Sequence, residues 1–228
     1  MTQTATAPPQ TPERRKQARA DVTRQRLLDA AVELMHRDGL ARTTTHDVAR
    51  LAGVSRGALT HHFESREELI AAAVRHMLAS AVSDLKAFAV AFAERDGSSD
   101  EIIEFLWRIM RDRLFVVTLE FLPEARHNAV FRARILPVVQ EWHAALDHVW
   151  TLLAARYSVT PAFARAAMNA AMCMIRGMIA QTVVRDDPRY FKSLLDLCKS
   201  TVRAQLASAP RVAPSASRRS PPRRRATA

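Results

Sequence analysis

Four helix-boundary signals crowd between Thr44 and Ser65, and they leave room for only two short helices and the start of a long one. The Thr44 hydroxyl can cap the free N–H of residue 46 or 47, and the helix behind it carries Val48, Leu51 and Ala52. Gly53 ends that helix. Ser55 can cap the next, about eight residues long, and Ser65, with Glu68 at the capping-box position, opens a long helix through Leu78, Leu85 and Phe92. A first helix from about Val22 to Arg37 precedes them, with Leu27, Ala30, Ala31, Leu34 and Met35 on one face and Asp38-Gly39 as its stop. Helix, short helix, glycine-containing turn, short helix is the helix-turn-helix arrangement, whose second helix enters a major groove about 12 Å wide.

The inner faces of the two short helices are Val48, Ala49 and Ala52 on one side and Val54, Leu59 and Phe63 on the other. Small residues at 49 and 52 allow close approach. Arg56, Gly57, Ala58, Thr60, His61 and His62 are left to point outward. Adjacent histidines point about 100° apart on a helix, so His61 and His62 do not form a metal site.

The stretch RQRLLDAAVELMHRDGLARTTTHDVARLAGVSRGALTHHFESREEL, residues 24 to 69, resembles the TetR (AcrR-type) transcriptional repressors. It carries an Ala-Gly-Val-Ser turn, a Gly-x-Leu-x-x-His-Phe recognition helix and a Ser-basic-Glu-x-Leu opening of the fourth helix. The resemblance implies phosphate contacts from Thr44 and Arg66, and base-edge or phosphate contacts from Ser55, Arg56, Gly57, Ala58, Thr60 and His61. Thr45 and His46, beside Thr44, and His62, in a backbone-contacting or structural role, complete the implied DNA surface. Where most members have a backbone-contacting tyrosine, this chain has Thr60, whose hydroxyl reaches less far.

Only five glycines occur in 228 residues, and no run rich in β-branched and aromatic residues at period two is present, so the chain reads as all-α. Helices are expected over residues 100–112 and 114–127, the latter kinked or broken near Pro123, and over 129–157 with a kink at Pro137. Thr160-Pro161 opens another to about Arg185, and Asp186-Asp187-Pro188 starts the last, which ends near Ala207. The expected organisation is a disordered basic arm at 1–20, a three-helix DNA-binding domain at 21–66, a helical ligand-binding and dimerisation domain at 67–208, and a disordered Arg-rich tail at 209–228.

The helix from Pro161 is apolar almost all round, so it must be covered on both sides. The resemblance implies a homodimer through the last two helices, with Leu194, Leu195, Leu197, Cys198, Val202 and Leu206 as the final helix's share. It also implies a small-molecule effector in the C-terminal domain. Phe88, Phe92, Trp107, Met110 and Phe115 are candidate lining residues, as are Phe121, Trp142, Met168 and Met172. Phe105 and Trp150 are further bulky apolar residues on the same helices, and ordinary core is the competing account for all of them.

The net charge of +11 suits a polyanion, though six arginines in the 209–228 tail carry more than half of it. Cys173 and Cys198 lack metal or disulfide spacing and read as buried thiols. His143 and Asp147, four apart, are more simply a helix-surface pair than metal ligands. No apolar run approaches the roughly 18 residues of a bilayer span and the N-terminus has no signal-peptide pattern, so no membrane partner and a cytoplasmic location are expected. There is no phosphate-binding glycine loop, paired Glu-x-x-His set or nucleophile motif, so neither an enzyme nor a cofactor is expected. The expected function is a homodimeric, sequence-specific repressor of double-stranded DNA, released from a pseudo-palindromic operator by a small apolar ligand. A helical-bundle enzyme or binder, and a non-specific nucleoid-type binder, are the alternatives.

Overall fold

The computed structural model describes residues 11–212, and among these every regular element is helical. The order is α1 (Pro12–Asp38), α2 (Thr45–Ala52), α3 (Arg56–His62), α4 (Arg66–Glu94), α5 (Ser99–Ile109), a π turn (Met110–Leu114), α6 (Phe115–His127), α7 (Ala129–Tyr157), α8 (Pro161–Thr182) and α9 (Pro188–Ser208). Helices α1 to α3 close around Leu27, Ala31, Met35, Val48, Leu59 and Phe63, all buried. Burying each leucine-sized side chain contributes about 1.5–3 kcal/mol. The capping signals act as read from the sequence. Thr44, Ser55 and Ser65 accept the N–H groups of Asp47, Ala58 and Glu68, each at 3.1 Å. The Glu68 carboxylate reaches back to the Glu64 N–H at 2.8 Å, one residue before the cap itself.

Helix α4 is shared. Its first half packs on α1 and its length runs along α7, burying Leu69, Val74, Leu78, Leu85 and Phe92. At 29 residues it is long and apolar enough to cross a bilayer by length and composition, contrary to the sequence reading that no run approaches this. Its buried face here forms the seam between the two ends of the molecule.

Three helix boundaries differ from those expected. Helix α1 begins at Pro12 rather than Val22, because proline suits the first turn, Glu13 faces the positive helix end, and Gln17 bonds Asp21 one turn on at 3.0 Å. The rest of the expected N-terminal arm, residues 1–10, lies outside the described residues. The gap expected between residues 112 and 114 is bridged by the π turn, so α5 and α6 form one path, and Pro123 and Pro137 lie inside unbroken helices. Helix α8 stops at Thr182, where Gln181 accepts the N–H groups of Val184 and Arg185 and closes a turn.

The expected tail at 209–228 is also shorter where it can be seen. Ala209 is buried, Arg211 donates to the Tyr157 carbonyl, and the Val212 N–H donates to Ser158 O at 2.7 Å, pinning 209–212 to the α7–α8 connection. Residues 213–228 lie outside the described residues.

One side chain locks the far end of α4. Arg156 on α7 donates to the carbonyls of Phe92, Arg95 and Gly97 and lies 4.6 Å over the Phe92 ring. It thereby satisfies an orphan carbonyl in the last turn of α4 and two in the following loop. Gly97 is required there, since a Cβ would fall 2.6 Å from the Phe92 ring.

Candidate nucleic-acid interface and inner cavity

Helix α3 is held by Leu59 and Phe63 beneath it, and by the left-handed turn at Gly53, φ +66°, that aims it away from α2. Arg24 on α1 lies over the outer face of the Phe63 ring at 5.3 Å. What remains outward is Ser55, Arg56, Gly57, Thr60 and His61, all exposed, with Ala58 and His62 partly so. Arg56 has no carboxylate within 4.0 Å among the described residues, and its guanidinium is free to meet a groove.

Three neighbours are engaged in hydrogen bonds within the chain. The Thr60 hydroxyl donates to Gly57 O at 3.1 Å, within its own helix. The Thr44 hydroxyl donates to Asp47 Oδ2 at 2.7 Å, so its hydrogen is already engaged while its oxygen caps α2. That bond, followed by the one from Arg50, holds the Asp47 carboxyl below its usual range. Thr45 and His46 stand at the first turn of α2, where unpaired N–H groups face out. Arg66 points inward: its Nε and Nη2 donate to Thr43 O at 2.7 Å and Leu40 O at 2.5 Å, bracing α4 against the turn after α1. No local signal announces this, because both carbonyls lie more than twenty residues away in sequence.

His61 and His62 meet edge to face at 5.7 Å, and among the described residues no group of three metal-ligating side chains occurs. Burial first, then the charge of His61 and of Arg24, pushes the His62 imidazole below its ordinary value.

The candidate ligand residues are divided among several places. Met110, Phe115, Phe121 and Trp142 line one cavity of about 360 Å3, together with Leu78, Leu114, Thr118, Leu122, Val139, His143 and Arg176. Phe88 stacks instead on Phe105 at 4.2 Å and on Phe92 at 5.8 Å, filling the end of α4. Trp107 borders a separate groove with Arg111 and the α8–α9 turn, and Met168 and Met172 are wholly buried in ordinary core. The sequence offers only bulk and hydrophobicity at these positions, and both properties are common to core and cavity. His143 is at the cavity, while Asp147 pairs with Arg165 at 3.1 Å rather than with it.

The segment that forms one cavity wall also touches the helix-turn-helix. Leu114 and Phe115 face the cavity, while Arg113 between them and α1 pairs with Glu33 at 3.2 Å. Seven residues beyond Arg113, the Glu120 carboxylate accepts the Leu40 N–H at 2.9 Å. Gly39 at that turn has φ +86°, and a Cβ would meet Glu120 at 3.1 Å, so no other residue fits easily.

On the opposite side α8 buries Ala164, Met168, Ala171, Met172, Ile175 and Ile179 and exposes Ala166, Ala170, Cys173, Met174 and Gly177. Cys173 is therefore exposed, contrary to expectation, and Cys198 is buried, with its thiol pushed up by desolvation. Of the α9 residues expected at a partner, Leu195, Cys198, Val202 and Leu206 pack inside this chain, and Leu194 is partly covered. Only Leu197 is fully available.

A family model for bacterial regulatory proteins of the tetR family matches residues 27–73. The chain is 44% identical over 59 residues to the HTH-type transcriptional regulator TtgR of Pseudomonas putida, a match spanning 26% of this chain and 28% of TtgR. It is 27% identical over 140 residues to the regulator CymR of Pseudomonas putida, covering 61% of this chain and 69% of CymR. The fold matches a crystal structure from Mesorhizobium loti, assigned to the TetR-family regulators, with a TM-score of 0.66 at 15% identity over 83% of this chain and 97% of that one. Residues 27–73 thus match the helix-turn-helix domain of the tetR family of bacterial regulatory proteins, the chain spans less than a third of TtgR's length in that match, and over most of the described length the fold is the one seen in the Mesorhizobium loti structure.

Proposed function

We propose that this protein is a sequence-specific transcriptional regulator, acting as a homodimeric repressor that leaves a pseudo-palindromic operator when a small apolar ligand enters the C-terminal cavity. The observation that carries the reading is the outer face of α3: Arg56, Gly57, Thr60 and His61 exposed on a helix clamped from below by Leu59 and Phe63. A guanidinium on such a helix can pair with both acceptors of a guanine, the commonest specific contact. Phosphate positioning falls to Ser55, Thr44, Thr45, His46 and His62 around it, and to Arg66 only by way of the turn it braces.

Dimerisation is supported by the outer stripe of α8, whose small residues allow close helix contact, continued on α9 by Leu197, Ser200, Thr201 and Ala204. Two recognition helices so related read half-sites about 34–36 Å apart. Release is supported by the shared segment from Met110 to Phe121: one face is cavity wall, the other holds Glu33 and Leu40 of the DNA-binding end. Shifting a two-state ratio from 1:99 to 99:1 requires about 5.5 kcal/mol of differential ligand binding.

Titrating a selected operator duplex and random DNA at several salt concentrations tests this reading. It predicts a large preference for the operator that persists as salt rises; equal affinity throughout would mean a non-specific binder.

A further inference from the structure

Arg176 stands at the cavity with nothing to neutralise it. It projects from α8, is partly buried, and among the described residues has no carboxylate within 4.0 Å and no hydrogen-bond acceptor. Arg165, on the same helix but outside the cavity lining, pairs instead with Asp147 at 3.1 Å. The residues lining the cavity include no aspartate or glutamate. Its walls are Leu78, Met110, Leu114, Phe115, Phe121 and Trp142, and its basic groups are Arg176 and His143.

We propose that the cavity takes a small apolar carboxylate, with its hydrocarbon body against Phe115, Phe121 and Trp142 and its carboxylate on the Arg176 guanidinium. The inference rests on the reading of this cavity as the effector site and adds the ligand's charge and head group. A cation half withdrawn from water into apolar surroundings is costly until it is paired, and the pair that suits guanidinium is a carboxylate accepting two parallel N–H bonds. The same charge, with no acid beside it, repels cationic ligands. A volume of about 360 Å3 is that of a small-molecule site, and it excludes macromolecular occupants.

The test is calorimetric titration of the full chain with three probes sharing one body: 4-butylbenzoate, 4-butylbenzamide and 4-butylbenzylammonium. The benzoate should bind about tenfold or more tighter than the amide, since one charge-assisted pair separates them, and the ammonium should bind most weakly. Arg176→Gln should bring the benzoate down to the level of the amide, and continued binding of the amide to the variant shows that the variant is folded. If amide and benzoate bind alike to the parent, or if Arg176→Gln keeps the preference for benzoate, the carboxylate assignment is wrong and the apolar site stands. If none of the three binds to the parent, the cavity is not the effector site and both readings fail together.

Discussion

The carboxylate of Glu120 on α6 accepts the backbone N–H of Leu40, in the turn that ends α1, at 2.9 Å. With the Glu33–Arg113 pair it ties the outer face of the cavity wall to the helix-turn-helix. Both contacts are exposed, so each adds little to stability, and their consequence is positional. Replacing Glu120 with alanine should leave cavity affinity for a bound carboxylate within about twofold and shrink the ligand-induced loss of DNA affinity several-fold, by about 1 kcal/mol of coupling. Fluorescence anisotropy of an operator duplex with and without ligand measures it; unchanged coupling would place transmission elsewhere, in α4 alone.

Arg156 should matter to folding far more than an average arginine. Its guanidinium serves three carbonyls at the end of α4, and removal leaves partly buried acceptors without a donor. Arg156→Ala should cost about 2–4 kcal/mol in urea unfolding, from lost charge-assisted bonds and the lost stacking on Phe92. A loss under about 0.5 kcal/mol would show that water replaces the guanidinium there.

The two cysteines should separate by reactivity. Cys173 is exposed on the α8 stripe, while Cys198 is buried with a raised thiol. In dilute protein, one equivalent of a thiol reagent should react quickly and the second only on unfolding. At concentrations where the dimer forms, Cys173 should become protected; labelling that ignores concentration would remove α8 from the interface.

His62 has a folded-state pKa below its ordinary value, so the unfolded chain takes up the proton more readily. Stability should therefore fall as pH drops through the window from about 6.5 down to the lowered folded value. His62→Gln should flatten that part of the stability profile. Equal slopes in parent and variant between pH 7.5 and 5.5 would mean that His62 is not the group responsible.

What the sequence discloses here follows from how local each interaction is. Thr44, Ser55 and Ser65 cap helices through bonds to residues three positions away, so spacing alone locates α2, α3 and the start of α4. The π turn at Met110–Leu114 is different, because Met110, Arg111, Asp112, Arg113 and Leu114 are compatible with an ordinary helix. Its widened turn points Leu114 inward and Arg113 toward Glu33, a demand set by tertiary packing. Likewise Phe88 and Phe115 look alike in sequence, and only the packing of α4 against α5 sends one into an aromatic stack and the other to a cavity. Arg66 reads as a surface cation and is turned inward by carbonyls at positions 40 and 43. The proline at residue 12 and the i, i+4 bond from Gln17 to Asp21 were local and visible, but the density of charge around them masks a helix.

Arg56 is the exposed cation on the outer face of α3. A duplex selected from a randomised library should be bound by the parent with clear preference over random DNA. Arg56→Ala should weaken that binding by about 1–3 kcal/mol and relax discrimination at one base pair in each half-site, while leaving affinity for random DNA nearly unchanged. Parent-like affinity and parent-like base preference in the variant would contradict the assignment of α3 as the helix that reads the groove.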